Sequence, residues 1–130
     1  MATWADLTRY VRSNYKIADE RPNLIKLVFE TGNLRSQAVL LWHLTLADGE
    51  EEWVQIESFF GEVGSVDLVQ ALQEVGNTVC GGMAVAGDML TFRHAVPLLN
   101  LNINEFERPL ALVTSTADRL ERILTGADRY

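Results

Sequence analysis

One stretch near the end of the chain constrains the fold more than any other feature. Between residues 106 and 124 the apolar side chains recur in alternating steps of four and three, at Phe106, Leu110, Val113, Ala117, Leu120 and Leu124. This spacing places them on one side of an α-helix. Asn104 and Glu107 match a capping box at its start, and Gly126 follows its last turn. We therefore predict a long helix, in which the early Pro109 either separates a first turn or produces a kink.

The middle of the chain predicts the sheet on which such a helix can pack. Residues 24–30, 38–46 and 53–60 alternate in the period of two that is typical of strands. Turn residues separate these runs, with Thr31-Gly32-Asn33 after the first and Ala47-Asp48-Gly49-Glu50 after the second. We expect an antiparallel meander of three strands.

Shorter elements precede and follow this meander. A helix is predicted over about residues 4–15, capped by Thr3, and the segment 19–23 is expected to be a loop because it contains Pro22. After the meander, Ser65 is the expected cap of a second helix. The apolar residues of that helix, which should share one side, are Leu68, Leu72 and Val75.

Residues 83–86 and 90–96 predict two further strands around a Gly87-Asp88 hairpin. The element order is then α-β-β-β-α-β-β-α. This order predicts an α+β fold, with one antiparallel five-stranded sheet and helices packed on it. A chain of 130 residues can bury a single core without disulfides, so we expect one domain over residues 1–130.

Charge and cysteine content exclude several classes of partner. The formal net charge is -7, and the basic residues are scattered singly, so neither nucleic acid nor a membrane surface is an expected partner. Cys80 is the only cysteine, which rules out an internal disulfide. The N-terminal residues lack the pattern of a signal peptide, and no apolar run approaches the ~20 residues of a membrane span. The expected location is the cytoplasm.

Few residues suggest catalysis or metal binding. Neither His43 nor His94 has a carboxylate or a second histidine at ligand spacing, and Cys80 is more simply a structural thiol than a nucleophile. The acidic run 48–52 is interpreted as a solvated loop, although it could bind a cation or a basic partner. Glu57 is expected in an exposed cross-strand pair. We predict no catalytic residue, no cofactor and no metal.

Six apolar side chains lie off the main apolar stripes and are candidates for a dimer or protein-binding surface: Val39, Leu41, Trp53 and Phe59 in the strands, and Leu112 and Ile123 in the last helix. Two explanations stay open for them. A helix of the same chain can cover them, or a second copy or another protein can do so.

The last third of the chain resembles a known family. The similarity lies in Leu90-Thr91-Phe92-Arg93-His94-Ala95-Val96-Pro97-Leu98, in Asn100 and Asn102, in Phe106, and in Ala117-Asp118-Arg119-Leu120-Glu121. These residues resemble the YbjN family, which shares the fold of type III secretion chaperones of the Tir-chaperone kind. The resemblance implies a small acidic dimer that holds other proteins through exposed apolar surface, and it supplies no catalytic residue.

We therefore expect a non-enzymatic, chaperone-like or adaptor domain, homodimeric, whose partner is another protein. The alternative is a sensor or carrier with an apolar pocket for a small ligand between sheet and helix. An enzyme is the third hypothesis. A groove or flat apolar patch would favour the adaptor, a cavity the carrier, and a cluster of perturbed ionisable groups the enzyme.

Overall fold

The computed structural model describes residues 1–126. Its helices are α1 (Trp4–Asn14), α2 (Leu68–Val75) and α3 (Ile103–Thr125). Its strands are β1 (Ile17–Arg21), β2 (Leu24–Gly32), β3 (Arg35–Leu46), β4 (Glu51–Glu62), β5 (Gly82–Ala86) and β6 (Met89–Pro97). Within residues 1–126 none of the helices combines the length and the apolar character needed to cross a membrane.

The strands form one antiparallel sheet in the order β1-β2-β3-β4-β6-β5. The α+β class and the meander are confirmed, but the prediction of five strands is wrong because the sheet has six. The additional strand is β1, which begins before the segment 19–23 that was expected to be a loop and overlaps its first three residues. Pro22 lies in the turn between β1 and β2, where its missing N–H is not needed by the ladder, so it ends an edge strand without preventing it.

The three helices contribute their buried side chains to one core. That core also contains the side chains of one sheet face, which we call the inner face, and it includes all of the predicted stripe of α3 from Phe106 to Leu120. Leu124, the last residue of the stripe, is only partly buried. The opposite side of the sheet, the outer face, is covered by none of the described helices.

The start of α3 differs from the prediction by two residues. Asn102 and Glu105 form the capping box, in which Asn102 Oδ1 accepts from the Glu105 N–H at 2.9 Å and Glu105 Oε1 accepts from the Asn102 N–H at 3.0 Å. The sequence repeats the Asn-x-x-Glu pattern at Asn104 and Glu107, so spacing alone could not choose between them. Pro109 lies inside a single helix, which Gly126 ends with a φ of 70°.

Helix α2 also begins elsewhere than predicted. Asp67, not Ser65, is its cap, because the Asp67 carboxylate accepts from two backbone N–H groups of the first turn. Of the three residues of the expected apolar side, only Val75 packs partly against the core. Leu68 and Leu72 are 40% and 58% exposed, whereas Ala71 lies in the core.

The strand register corrects part of the candidate surface. Val39 and Leu41 are fully buried on the inner face, so assigning them to a partner-binding surface was wrong. Leu41 pairs with Ile56 and Leu44 pairs with Trp53, so even-numbered residues of β3 share a face with odd-numbered residues of β4. The hairpin between the strands sets this parity, and alternation within each strand does not reveal it.

Candidate functional site

The outer face carries large apolar side chains although no described helix covers it. Its centre consists of Leu40, Trp42 and Leu44 on β3 and of Trp53 and Phe59 on β4. Leu44 is 39% exposed and the other four are half-buried. An antiparallel sheet that faces water usually carries polar side chains on that side. The outer face therefore resembles the surface of an interface more than a solvated sheet.

An ion pair between a buried carboxylate and a partly exposed arginine lies in the middle of the outer face. Glu57 is only 4% exposed, which corrects its expected place in an exposed pair. Its Oε1 accepts from Trp42 Nε1 at 3.0 Å, and its Oε2 accepts from Arg93 Nε at 2.8 Å and from Thr91 Oγ1 at 3.0 Å. Three donors from two neighbouring strands thus compensate the burial of the carboxylate.

The two tryptophans of the outer face are held by carboxylates of the same chain. Trp42 donates to Glu57, and Trp53 Nε1 donates to Glu51 Oε1 at 2.7 Å. Because each indole N–H is satisfied internally, the ring surfaces are available for apolar contact without an unpaired donor.

A second exposed apolar surface lies at the β5 edge of the sheet. Leu68, Val69 and Leu72 of α2 are 40%, 65% and 58% exposed, and Val85 of β5 is 59% exposed. We call these four residues the edge patch. Strand β5 contains no charged residue and pairs with β6 without a bulge. The opposite edge strand, β1, carries three charged residues and a bulge, which are features that discourage pairing with another chain.

A cleft of about 500 Å³ lies between α3 and the end of β2. Tyr15, Phe29 and Leu110 supply apolar walls, and the hydroxyl of Thr31 is buried without a partner among the described residues. Glu107, which was expected to cap α3, also lines this cleft.

Two tyrosines bind the carboxylate of Glu107. The hydroxyls of Tyr10 and Tyr15 each donate to one of its oxygens. This hydrogen bond, with burial and the negative charge of Glu107, raises the pKa of Tyr10 to about 12. Burial, followed by the same hydrogen bond, raises the pKa of Tyr15. The network ties α1 to α3 and keeps both phenols protonated to a higher pH than an ordinary tyrosine.

The histidines and Glu57 do not form a common site. His43 and His94 belong to the inner side of the sheet by register, whereas Glu57 is on the outer face. His43 does have a carboxylate neighbour that sequence spacing missed, since Nε2 lies 3.0 Å from Glu52 Oε1. The ring of His43 also stacks on Trp4 at 5.1 Å, so this contact fastens the start of α1 to the sheet.

The acidic run 48–52 was interpreted as a solvated loop, but one of its residues is partly buried. Glu52 is half-buried against His43, so the acidic run is not solvated throughout.

Burial raises the pKa of Cys80, and this outweighs the opposite effect of Arg108, so the thiol is poorly suited to act as a nucleophile. On α3, Leu112 is half-buried and Ile123 is 42% exposed. Within residues 1–126 no three His, Cys, Asp or Glu side chains are grouped as metal ligands.

Comparisons with protein-family models, with curated proteins and with solved structures found no match to this chain. The resemblance to the YbjN family and to type III secretion chaperones therefore stays a prediction from the residues that suggest it.

Proposed function

We propose that this chain is a non-enzymatic protein-binding domain whose outer face accepts an apolar segment of another protein. The observation that carries the proposal is the set of half-buried aromatic and aliphatic side chains at the centre of the outer face. Contiguous apolar surface of this kind on a soluble domain usually marks an interaction site.

The fixed orientation of the tryptophan side chains on the outer face supports a role in binding. Trp42 is fixed by Glu57 and Trp53 by Glu51, so these two side chains would lose little further entropy when a partner packs against them. Aromatic anchors that are already oriented are typical of residues that dominate binding energy.

We also propose that two copies associate through the edge patch. An edge strand directs every second backbone N–H and C=O away from its neighbour, and β5 offers these groups without charge or bulge. Antiparallel pairing of β5 with its copy is self-complementary, as a two-fold interface requires. The exposed side chains of α2 would then be covered in the same contact.

The test of the binding surface uses a random peptide display library as the probe. The wild-type domain is expected to enrich peptides with apolar residues in alternation, and Leu44→Glu on the outer face should abolish their binding. Leu34→Glu is the matched control, because Leu34 lies in a turn and is fully exposed. A folded wild-type domain that enriches no peptide, or equal binding by both variants, would contradict the proposal.

A small-ligand carrier is the second candidate, and the buried hydroxyl of Thr31 favours it. Thr31 lines a cleft that has apolar walls and also charged residues such as Glu107 and Arg119, and a ligand with one hydrogen-bonding group could satisfy its hydroxyl. Phenol is a suitable probe. NMR shifts at the residues of the cleft, reduced in Thr31→Val, would support this function, and unchanged spectra at millimolar phenol would reject it.

A further inference from the structure

Arg93 of β6 holds a partly exposed positive charge among the aromatic residues of the outer face. Its Nε donates to Glu57 Oε2 at 2.8 Å and to Thr91 Oγ1 at 3.2 Å. Its side chain is 34% exposed, and its two terminal Nη groups form no hydrogen bond within residues 1–126. The chain therefore uses one edge of the guanidinium and leaves the other without a partner there.

Glu57 fixes the orientation of this guanidinium. It is 4% exposed and already accepts from three donors, so it is enclosed by its own chain and not presented to a ligand. The guanidinium is planar, so holding its Nε also fixes the direction of its two terminal nitrogens, whose geometry matches the two oxygens of a carboxylate. Such preorganisation lowers the entropic cost of binding.

The space beside Arg93 is open on the side away from Glu57. Gly82 of β5 is the direct register partner of Arg93, and a side chain added at Gly82 would meet no atom within 4 Å. Arg93 thus lies between the buried carboxylate on β4 and an unfilled position on β5. A side chain of a bound segment could enter this position and reach the guanidinium.

We propose that Arg93 anchors an acidic residue of the bound segment, so that the outer face selects apolar segments that contain an Asp or Glu side chain. This inference rests on the proposed function. A carboxylate fits better than a phosphate group, because the net charge of -7 disfavours a ligand with a second negative charge. An arginine beside aromatic rings is the composition expected at the centre of a protein interface.

The experiment starts from the peptides that the wild-type domain enriches from the display library. An Asp or Glu flanked by apolar residues should recur in them. One such peptide is then measured by calorimetry beside its counterpart in which the acid is changed to the amide. Arg93→Gln should weaken the acidic peptide by about tenfold or more, the size expected for a charged hydrogen bond, and should hardly change the amide peptide.

Two further variants separate a specific contact from a general effect. Lys26→Gln removes the same charge from an exposed position of the outer face and should leave the preference for the acid unchanged. Gly82→Leu keeps the Arg93–Glu57 pair but fills the open position, and it should weaken the acidic peptide as Arg93→Gln does. Arg93→Gln removes the cation that pairs with Glu57 and could lower the stability of the fold. Gly82→Leu keeps that pair, so it tests the same contact in a folded protein.

Each outcome has a distinct meaning. Enriched peptides without acidic residues, bound equally by wild type and Arg93→Gln, would overturn the role of Arg93 and leave the proposed function intact. Tighter binding of a phosphoserine version of the peptide would also overturn the carboxylate assignment. A folded wild-type domain that enriches no peptide would overturn the proposed function itself.

Discussion

The inner and outer faces of the same sheet differ in how they accommodate apolar side chains. On the inner face Val39, Leu41 and Ile56 are fully buried by helices of the chain. On the outer face Trp42 and Trp53 stay half-buried, and carboxylates fix their indole groups. The difference teaches that apolar alternation places residues on a face but does not say what covers it. The long helix decides which face becomes the core.

The largest expected effect comes from placing one charge on each face of β3. Leu41→Asp would bury a carboxylate without a partner, which should cost more than about 5 kcal/mol and unfold most of the protein. Leu44→Asp lies on the outer face, where Leu44 is 39% exposed, and should leave the domain folded. Circular dichroism melts compare the two. A folded Leu41→Asp protein would mean that the register of β3 is wrong.

Truncations in α3 should have the next largest effect. Phe106 and Leu120 are fully buried against the inner face. Phe106→Ala and Leu120→Ala should each reduce the free energy of unfolding by roughly 2 to 5 kcal/mol, because each leaves a cavity. Denaturant titration measures the change, with Leu44→Ala as the control. An unchanged midpoint for either α3 variant would place the stripe against solvent or a partner.

The dominant periodic signal predicted much of the inner layer, because helix packing depends on side chains that are close in sequence. The stripe of α3 and the three strands of the meander were predicted from spacing alone. Strand β1 was missed because its five residues include four exposed ones, which gives little apolar pattern. The capping box was misplaced because two overlapping segments have the same residue types.

The outer face could not be predicted in the same way, since its key contacts join distant residues. Glu57 receives its donors from Trp42, 15 residues away, and from Thr91 and Arg93, 34 and 36 residues away. The burial of a carboxylate depends on such partners and not on its own neighbours in sequence. Trp53 and Phe59 were correctly predicted to share one face. Val39 and Leu41 were wrongly assigned to that face, because the sequence does not show how β3 pairs with β4.

Removing the buried carboxylate should have an intermediate effect. Glu57→Ala would leave the donors of Trp42 and Thr91 without their acceptor and Arg93 without its counter-charge, and we expect a loss of about 1 to 3 kcal/mol. Glu57→Gln keeps one acceptor oxygen and should cost less. Thermal melts and the near-ultraviolet dichroism of the tryptophans measure both. Equal stability of wild type and Glu57→Ala would indicate that the pair does not order the outer face.

Breaking the proposed dimer at the edge patch should change the free energy of unfolding of each subunit only slightly. Light scattering after size exclusion should give twice the chain mass of 14.6 kDa, and Leu72→Glu should give the monomer with a nearly unchanged monomer fold. Leu44→Glu on the outer face serves as control and should stay dimeric. A wild-type monomer at all micromolar concentrations would contradict the dimer. If Leu44→Glu gave a monomer and Leu72→Glu did not, the dimer contact would lie on the outer face and not at the edge patch.

The smallest expected effect is a loss of stability at alkaline pH. It comes from the hydrogen bond between Tyr10 of α1 and Glu107 of α3. The pKa of Tyr10 is raised from 10.0 to about 12, mainly because its hydroxyl donates to Glu107. A group with a raised pKa in the folded state binds its proton more tightly there, so its contribution is fully present below pH 10.0 and is lost as pH rises towards about 12. Tyr10→Phe provides the reference, because it removes the Tyr10 hydroxyl and leaves every other titratable side chain in place. The difference in melting midpoint between wild type and Tyr10→Phe should therefore shrink across this window and stay constant below it. Glu107→Gln removes the charge that holds the proton, and the tyrosinate absorbance of this variant should appear at lower pH. A constant difference through the whole window would show that Tyr10 and Glu107 are not in contact in solution.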